Sequence, residues 1–460
     1  MHTRRFQRRS PIPAPPDAVY AWHTRPGAFA RLTPPWEGVT LEPGFAGLRD
    51  GAVAVLRIGA SGMKWVARHS DIQPGRQFVD EQTEGPFAHW RHTHRFTPGG
   101  DGGTQLEDDI AYALPGGMLT TTLLGPLVDR KLARMFAFRH RQTRDDLSQL
   151  QSLSRMPPMK IAVTGSTGLV GSALVPLLST AGHEVLRLVR SRDEVDEGAA
   201  YWRPSERVID RDALEGVDVV VHLAGVNIAA GRWTKKLKKL IRDSRVDSTT
   251  LLCDTLVNLD RRPKALICAS AIGYYGSRGD EVLDEDSAAG EGFLADVCIE
   301  WEHATRIASQ KGIRVVNARL GAVLSPAGGA LAKMLLPFKL GLGGRIGDGR
   351  QYMPWISIDD VAGAFLHAIA TESLEGPVNF VAPEEVTNRQ FTRTLGRVLR
   401  RPTIFPVPAL AAKLAFGEMA EHLLLASTRV KPRRLEASAY AFRHPTLETA
   451  LRHVLGKGAT

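Results

Sequence analysis

The chain has 460 residues, a formal net charge of +10 and 43% hydrophobic residues. This length is too great for one compact core, so we expect two or three domains. No run of about 18 uncharged apolar residues occurs and no apolar segment follows the first arginines, so secretion and membrane spanning are not expected. The 3 cysteines lack CxxC spacing, which argues against disulfides and a zinc site and favours a reducing, cytoplasmic location.

Residues 1–150 carry the pattern of an α+β domain. Runs rich in strand-forming residues, divided by glycine turns, predict strands at Ala52–Gly59, His89–Pro98 and Thr104–Leu114. Pro15 and Pro16 predict the start of a short helix, and apolar residues at helical spacing predict a long helix from about 123 to 150. We therefore expect a mostly antiparallel sheet flanked by helices.

Histidines and aromatic residues are concentrated on the predicted strands of this domain. His92 and His94 point to the same face, because side chains of a strand alternate with a period of two. Two imidazoles without acidic neighbours are weak evidence for a metal, so we predict a polar strand face and no metal site. Trp65, Trp90 and Phe96 favour a cavity for a hydrophobic ligand.

A linker, residues 151–158, separates two dissimilar halves. Pro157 and Pro158 can neither continue a helix nor donate to a strand. Met159 reads like the start of an independent protein, which indicates a fusion of two units. Beyond it, short apolar runs alternate with helical stretches through residues 159–400. This alternation is typical of an α/β, doubly wound parallel sheet with right-handed crossovers.

A glycine-rich loop follows the first of these strands. Gly165, Gly168 and Gly171 stand between the strand Lys160–Thr164 and a predicted helix Leu169–Ser179. The glycines permit a tight turn, close approach of backbone to a pyrophosphate, and close packing of helix on strand, while the helix N-terminus favours phosphate. We expect the whole loop to contact a dinucleotide: Gly165, Ser166, Thr167, Gly168, Leu169, Val170 and Gly171.

The end of the second strand indicates which dinucleotide is bound. An NAD site needs a carboxylate there for the ribose 2′-hydroxyl, whereas this chain has Arg190, Ser191 and Arg192. Guanidinium groups bind a 2′-phosphate bidentately, so NADP (NADPH) is favoured and NAD is less favoured. The alternative is a pair of solvated loop arginines.

A later strand ends in the tetrapeptide His222, Leu223, Ala224 and Gly225, at the edge of the sheet that faces the cofactor. A histidine at a strand end more often packs or bonds to backbone than exchanges protons. We therefore assign all four residues to cofactor contact and none to catalysis.

The motifs GSTGLVG, VVVHLAGVNI, SRVDST, CASAIGYYG, RLGAVLSP and PWISIDDVA occur in this order. Together they resemble the epimerase-like branch of the extended short-chain dehydrogenase/reductase family, and more narrowly its members of unassigned substrate. Those end in a small C-terminal segment of unknown function, which residues 401–460 resemble. The first half, with PPDAVYAWHTRPGAFARLTPPW and FAHWRHTHRF, is similar to the START-like (SRPBCC) helix-grip fold.

This resemblance implies an active site with Ser, Tyr and Lys, in which lysine lowers the tyrosine pKa so that tyrosinate exchanges a proton while hydride moves. Anchored on Trp301 and Glu302, the Tyr and Lys positions hold Leu294 and Cys298. The usual catalytic pair is therefore missing.

The serine of the family pattern is displaced as well. Ala271 stands four residues before Tyr275, where the serine belongs, and Ser270 is one residue earlier. A shift of one residue on a strand sends the hydroxyl to the opposite face unless the backbone twists. Ser270 and Tyr274 remain the catalytic candidates, with Ser270 and Ala271 also at the cofactor and Tyr275 at the substrate. Alternatively, one tyrosine packs and the other bonds to the cofactor ribose.

Further ligand contacts are expected from positions that the resemblance places beyond the nicotinamide. Arg319 is assigned to the cofactor, and Asn227, Arg345 and Tyr352 to the substrate, where an arginine grips an anionic or sugar-like group. For the segment 341–355, a flexible surface loop is an equally good interpretation.

Charged clusters are interpreted as solvated faces. The basic ones lie at Arg4–Arg9, Lys235–Lys239 and Lys431–Arg434, and the acidic one at Asp280–Asp286. No helix-turn-helix, zinc or RNA-recognition motif accompanies them, so nucleic acid is not an expected partner. Asp359 and Asp360 are expected to cap the next helix.

Two hypotheses follow from these patterns. The first is an NADP-dependent oxidoreductase or epimerase acting on a small molecule, with an appended START-like domain that binds a hydrophobic ligand. The second is a non-catalytic NADPH-binding sensor, which the residues at the Tyr and Lys positions favour.

Overall fold

The computed structural model describes residues 3–45, 47–59, 61–153 and 156–458. The chain divides into two compact units, the first made mainly of Met1–Arg155 and the second of Met156–Leu178 and His183–Lys457. Each unit has its own main sheet. Among the described residues, no helix combines the length and apolar character that crossing a membrane requires.

The first unit is a seven-stranded sheet with helices. Its elements are, in chain order, β1 (Arg4–Ile12), α1 (Pro16–Thr24), α2 (Ala28–Leu32), β2 (Val39–Leu41), β3 (Val53–Ile58), β4 (Met63–Gln73), β5 (Gln77–Glu84), β6 (His89–Pro98), β7 (Thr104–Ala113) and α3 (Gly117–Ser152). The strand order is β1-β7-β6-β5-β4-β3-β2, and every neighbouring pair is antiparallel. The predicted antiparallel sheet and long helix are therefore confirmed.

Helix α3 packs against this sheet through Leu132 and Phe136, which share a buried cluster with Ile110 and Tyr112 of β7. The helix begins several residues before the predicted start, because Gly116 adopts a left-handed conformation that turns the chain into it.

Strand β1 was not predicted, because its arginines were interpreted as a solvated cluster. The arginines are both solvated and paired, since the Arg5 and Arg9 side chains are 66% and 59% exposed. β1 pairs with the acidic strand β7, where Arg5 bonds to Asp109 and Arg9 to Glu107 at 2.6 Å. Its side chains alternate between more and less buried positions, as expected of a strand with one packed face.

The second unit contains an eight-stranded sheet. Its elements are β8 (Lys160–Thr164), α4 (Gly171–Ala181), β9 (Glu184–Val189), β10 (Ala199–Arg203), β11 (Val208–Ile209), α5 (Arg211–Leu214), β12 (Val219–His222), α6 (Lys235–Val257), β13 (Ala265–Ala271), β14 (Val282–Leu283), α7 (Phe293–Ala304), α8 (Arg306–Gln310), β15 (Arg314–Leu320), β16 (Ala322–Leu324), α9 (Gly329–Lys339), β17 (Trp355–Ser357), α10 (Ile358–Ala370), β18 (Gly376–Phe380), α11 (Asn388–Leu399), α12 (Ala409–Phe416), α13 (Glu418–Leu423), β19 (Arg429–Val430), α14 (Arg433–Ala437) and α15 (Leu447–Val454).

The order of the large sheet is β11-β10-β9-β8-β12-β13-β15-β18, and all neighbours except β10 and β11 are parallel. The strand order reverses between β8 and β12, where Thr164 and His222 lie opposite each other at the strand ends. In doubly wound sheets, ligands bind in the crevice at this point. The predicted Rossmann arrangement is confirmed, and the glycine loop lies at its binding edge.

The C-terminal segment is tied to the rest of this unit by β19, which pairs with β14, and by ion pairs of Arg433 with Asp284 and Arg434 with Asp286. The acidic patch and the basic run are therefore partners. The prediction of solvated groups agrees with Arg433 and Asp286, whose side chains are 64% and 76% exposed, but not with Glu285. Glu285 is 4% exposed, and burial raises its pKa.

Candidate functional site

The glycine loop closes tightly at the end of β8. Gly165 has a φ of 66°, and a Cβ there would lie 2.9 Å from the carbonyl carbon of Leu223. At Gly171, a Cβ would lie only 2.2 Å from the carbonyl oxygen of Gly165, whereas at Gly168 the same distance is 3.2 Å. Gly165 and Gly171 are therefore required by backbone contacts, and the loop lies against the strand end at Leu223 and Ala224.

The loop leads into α4, which begins at Gly171 rather than at the predicted Leu169. The first helical bonds run from Ser172 N to Gly168 O at 2.8 Å and from Leu174 N to Val170 O at 2.9 Å. In the described part of the chain, the amides of Thr167, Leu169 and Val170 donate to no protein acceptor. Amides at a helix N-terminus form an anion site, so the loop has the donors that a pyrophosphate needs.

Arg190, Ser191 and Arg192, the three residues after β9, differ in the contacts that their side chains make. The Arg190 side chain is exposed and forms no ion pair within the described ranges. The Arg192 guanidinium lies 4.4 Å from the centre of the Tyr201 ring, and Ser191 Oγ accepts a bond from Asp193 N. No carboxylate occupies the strand end, so the arrangement leaves a cation where a 2′-phosphate would lie.

His222 is fully buried, and its ring bonds to protein groups at both nitrogens. Thr164 Oγ1 lies 2.7 Å from Nδ1 and accepts bonds from the amides of Leu223 and Ala224, so its hydroxyl proton points to Nδ1. Ser248 Oγ lies 3.3 Å from Nε2 and donates to Ser244 O, so it accepts from Nε2–H. The neutral ring positions Thr164, which in turn holds the strand end. The assignment of the His222 side chain to cofactor contact is therefore corrected to a positioning role.

Burial lowers the pKa of His222 from 6.5 to about 3. The folded state therefore keeps a neutral ring, while the unfolded state takes up a proton below pH 6.5, so this contribution to stability is lost as pH falls from 6.5 towards 3. As pH falls through this range, the free energy of unfolding should decrease faster for the wild type than for His222→Gln. We expect the difference between the two slopes to be up to about 1.4 kcal/mol per pH unit. Urea unfolding of both proteins across this range measures the difference, and parallel slopes would contradict it.

A cavity of ≈ 1100 Å³ lies in the second unit. Its wall includes Ala271 at the end of β13, Leu294 and Cys298 on α7, and the predicted substrate residues Asn227 and Tyr352. The structure therefore brings these two predicted residues to one cavity.

The positions of the expected Tyr and Lys face this cavity. Both side chains lie close to Gly273: a Cβ at Gly273 would be 3.2 Å from Leu294 Cβ and 3.8 Å from Cys298 Sγ. Burial raises the pKa of the Cys298 thiol to about 12, so it stays protonated. Neither side chain supplies the acid–base function of a tyrosine and lysine.

Ser270 and Arg319 belong to a buried network and do not line this cavity. Ser270 donates to Glu302 Oε1 at 2.7 Å, and Arg319 binds both oxygens of Glu302 at 2.8 and 2.9 Å. Strand alternation explains the arrangement, because Ala271 faces the cavity and its neighbour must face away. The catalytic and cofactor assignments of Ser270, and the cofactor assignment of Arg319, are corrected to a structural role.

The two tyrosines join the same network. Tyr275 is fully buried, donates to Asn379 Oδ1 at 2.8 Å, accepts from Arg319 Nη1 at 2.9 Å, and has a pKa raised by burial to about 12. The Arg319 guanidinium lies 3.5 Å from the centre of the Tyr274 ring. Tyr274 lines a different cleft, with Glu302 and Glu375. The catalytic assignment of Tyr274 and the substrate assignment of Tyr275 do not agree with this geometry.

Two loop assignments are also changed. Arg345 is exposed, donates to Asp348 O at 3.1 Å and does not line the cavity, whereas its neighbour Ile346 does. Ser357, rather than Asp359 or Asp360, caps α10, because Ser357 Oγ accepts from Asp360 N at 2.9 Å.

Sequence reasoning missed the part of the cavity wall that the C-terminal segment supplies. This segment contributes Phe416, Met419, His422 and Leu424, and α6 contributes Arg245, which donates to Val226 O and stacks on Trp301. The exposed apolar residues of α12 give no periodic signal that would place them at a cavity.

The aromatic residues of the first unit fall into two clusters. Trp65 and Trp90 pack together with ring centres 5.0 Å apart, whereas Phe96 packs in another cluster with Trp22 and Phe78. The structure therefore brings Trp65 and Trp90 together and places Phe96 in the other cluster.

Three family models match the chain. One described as the NAD dependent epimerase/dehydratase family matches residues 161–381. A domain of unknown function matches residues 407–454, and a model described as polyketide cyclase/dehydrase and lipid transport matches residues 12–139. These ranges coincide with the parallel-sheet unit, its C-terminal segment and the antiparallel-sheet unit.

Several relatives have similar sequences or structures. An epimerase family protein of Mycobacterium bovis is 48% identical over 291 residues, covering 63% of this chain and 96% of that protein. A nucleoside-diphosphate sugar epimerase from Corynebacterium glutamicum has a TM-score of 0.81 at 37% identity, over 98% of this chain and 90% of that one. Human epimerase family protein SDR39U1 (isoform 2), solved with NADPH, has a TM-score of 0.60 at 36% identity, over 64% of this chain and 99% of that one.

Proposed function

Because the chain belongs to the NAD dependent epimerase/dehydratase family, we propose that its second unit binds NADP(H) and exchanges hydride between the nicotinamide and a small molecule in the ≈ 1100 Å³ cavity. The observation that carries this proposal is the loop Gly165–Gly171 at the helix start and the switch point of the sheet, where the amides of Thr167, Leu169 and Val170 have no acceptor among the described residues. The human relative solved with NADPH supports the same cofactor here.

The preference for NADP is proposed from the end of β9. Arg190 is exposed and free of ion pairs in the described chain, so it meets a 2′-phosphate without breaking an existing contact. Arg192 is fixed over Tyr201 and adds a second cation on the same turn. Ser191 lies between them and contributes a hydroxyl.

The substrate side is assigned to the cavity wall. Asn227 and Tyr352 offer an amide and a phenol, and Arg245 adds a guanidinium in a largely apolar surrounding. A cationic group of this kind fits a small substrate with an anionic or strongly polar end. Since Leu294 and Cys298 cannot exchange protons, Tyr352 is the phenol that we assign to proton exchange.

The second candidate function is an NADPH-binding sensor without catalysis. It is favoured by Leu294 and Cys298, which leave the usual acid–base positions apolar.

Hydride transfer distinguishes the two functions. The purified chain is incubated with NADPH and a panel of carbonyl compounds and nucleotide sugars, and the loss of reduced-nicotinamide absorbance is followed. Turnover that depends on Tyr352 supports the enzyme, and tight NADPH binding without turnover supports the sensor.

Arg190→Asp tests the cofactor assignment. We expect NADP affinity to fall by about tenfold to a hundredfold, because the change removes a charge-assisted contact and places a carboxylate near a phosphate, while NAD affinity changes little. Arg393→Asp, an exposed arginine on α11 with no ion pair among the described residues, is the control and leaves both affinities unchanged. Calorimetric titration of both nucleotides measures this, and equal losses for NADP and NAD would remove the assigned role of Arg190.

For the first unit we propose binding of a hydrophobic ligand, supported by the aromatic group of Trp65, Phe87 and Trp90 and by the match to a lipid-transport model.

We also propose a reducing, cytoplasmic location, which the free, buried cysteines Cys253 and Cys268 support.

A further inference from the structure

The interior of the first unit contains a cluster of two histidines and two aspartates from three adjacent strands. Asp80 on β5 lies opposite His92 on β6, and Asp108 on β7 lies opposite His94 on β6. His92, His94 and Asp108 are 3%, 8% and 4% exposed, while the Asp80 side chain is 19% exposed. The acidic partners that the sequence did not reveal therefore come from the strands on either side.

Each imidazole lies between the two carboxylates. His92 has Nδ1 at 3.2 Å from Asp80 Oδ2 and Nε2 at 2.8 Å from Asp108 Oδ1. His94 has Nε2 at 3.1 Å from the same Asp80 oxygen and Nδ1 at 2.8 Å from the same Asp108 oxygen. All four ring nitrogens of the pair therefore face a carboxylate oxygen.

A neutral imidazole donates from only one nitrogen. Hydrogen-bond geometry is met by His92 Nε2 towards Asp108 Oδ1 at 2.8 Å and by His94 Nε2 towards Asp80 Oδ2 at 3.1 Å, so a neutral His92 turns the lone pair of Nδ1 towards Asp80. Asp80, His92 and His94 each offer one ligand atom, and these three atoms lie within 4.8 Å of one another. A single metal ion at that point replaces the proton between His94 and Asp80.

One divalent ion at this point balances the charges of Asp80 and Asp108. The ring centres of His92 and His94 are 3.8 Å apart, so both rings can bind the same ion.

We propose that Asp80 Oδ2, His92 Nδ1 and His94 Nε2 bind a divalent transition-metal ion of the zinc type. A ligand set of two imidazoles and one carboxylate suits Zn²⁺, Co²⁺ and Ni²⁺. Ligands at about 2.0–2.1 Å from a tetrahedral ion lie about 3.3 Å apart, close to the separations of Asp80 Oδ2 from the two nitrogens. The remaining coordination position is open to water or to a ligand oxygen, and the partly exposed Asp80 gives the ion its route of entry.

Asp108 has the orienting role that carboxylates have behind metal-bound histidines, because it lies 2.8 Å from His92 Nε2 and from His94 Nδ1, the two nitrogens that do not face the ion. Its second oxygen is held by His140 Nε2 on α3 at 2.5 Å. The long helix therefore restrains the carboxylate that positions both histidines.

The test uses the full chain after chelator treatment and dialysis, titrated with Co²⁺ and with Zn²⁺. We expect one ion per chain, visible Co²⁺ bands of a low-coordinate site, and displacement of Co²⁺ by Zn²⁺. Asp80→Asn and His94→Gln each weaken binding by at least about 100-fold, and Asp108→Asn weakens it by about 10- to 100-fold. His89→Gln, on the same strand but outside the cluster, binds as the wild type does.

The wild type alone also decides the question, in case a variant does not fold. Nitrogen-15 spectra of histidine-labelled protein with Zn²⁺ at neutral pH should show His92 and His94 each with one protonated nitrogen. Doubly protonated rings in the presence of Zn²⁺, or Co²⁺ binding that survives Asp80→Asn and His94→Gln, would overturn the proposal.

Discussion

Replacing Gly171 with alanine is expected to weaken NADPH binding by about tenfold to a hundredfold. The added methyl group would lie 2.2 Å from Gly165 O and 2.7 Å from Ser166 Cα, and both are backbone atoms that no side-chain rotation can move. The loop must therefore open, and overpacking of this kind costs about 1–3 kcal/mol. Opening displaces the amides that receive the pyrophosphate. Titration of NADPH into both proteins, by fluorescence or calorimetry, measures the change.

Two other glycines serve as controls for this experiment. Gly168→Ala places its methyl group 3.2 Å from the same Gly165 oxygen, so a smaller loss is expected. Gly231→Ala meets nothing within 4 Å and should bind NADPH as the wild type does. Equal affinities of the Gly171 and Gly231 variants would show that the loop does not hold the cofactor in the way proposed.

Removing the charge of Arg319 is expected to destabilise the second unit without changing its affinity for NADPH. Arg319 is 2% exposed and binds Glu302 through two bonds, so Arg319→Met leaves a mostly buried carboxylate without its cation. Loss of one partner of a buried pair costs about 3–5 kcal/mol. Urea unfolding measures the loss, and nucleotide titration well below the unfolding midpoint shows whether the cofactor site is affected.

The exposed pair Arg397–Glu448 is the control, with side chains 63% and 36% exposed. Arg397→Met should cost less than about 1 kcal/mol, because solvent screens a surface pair. In addition, combining Arg319→Met with Glu302→Met should recover part of the stability, since no charge is then left buried. A large loss of NADPH affinity in Arg319→Met with stability intact would instead return Arg319 to the cofactor site.

The parts that the sequence predicts well are those with local causes. The glycine loop, the strands on either side of it and the long helix of the first unit each follow from spacing within a short stretch of chain. Spacing within one strand also predicts that Ser270 and Ala271 face opposite sides. Which of these two sides faces the cavity depends on the packing of α7, and no local pattern contains that information.

The parts that were missed depend on partners distant in the chain. The arginines of β1 are neutralised by Glu107 and Asp109, and the histidines of β6 meet acidic residues of β5 and β7. Strand order, which the sequence does not state, brings these groups together. The ion pair of Arg433 with Asp284, which the prediction of solvated faces did not include, has the same cause.

The C-terminal segment supplies one wall of the cavity, whereas the nucleotide loop lies at the start of the same unit. Under the proposed function, the start of this unit's sequence therefore recognises the cofactor, whereas its end completes the surface that contacts the reacting molecule. Substitutions after residue 400 can change that surface without changing the phosphate-binding loop.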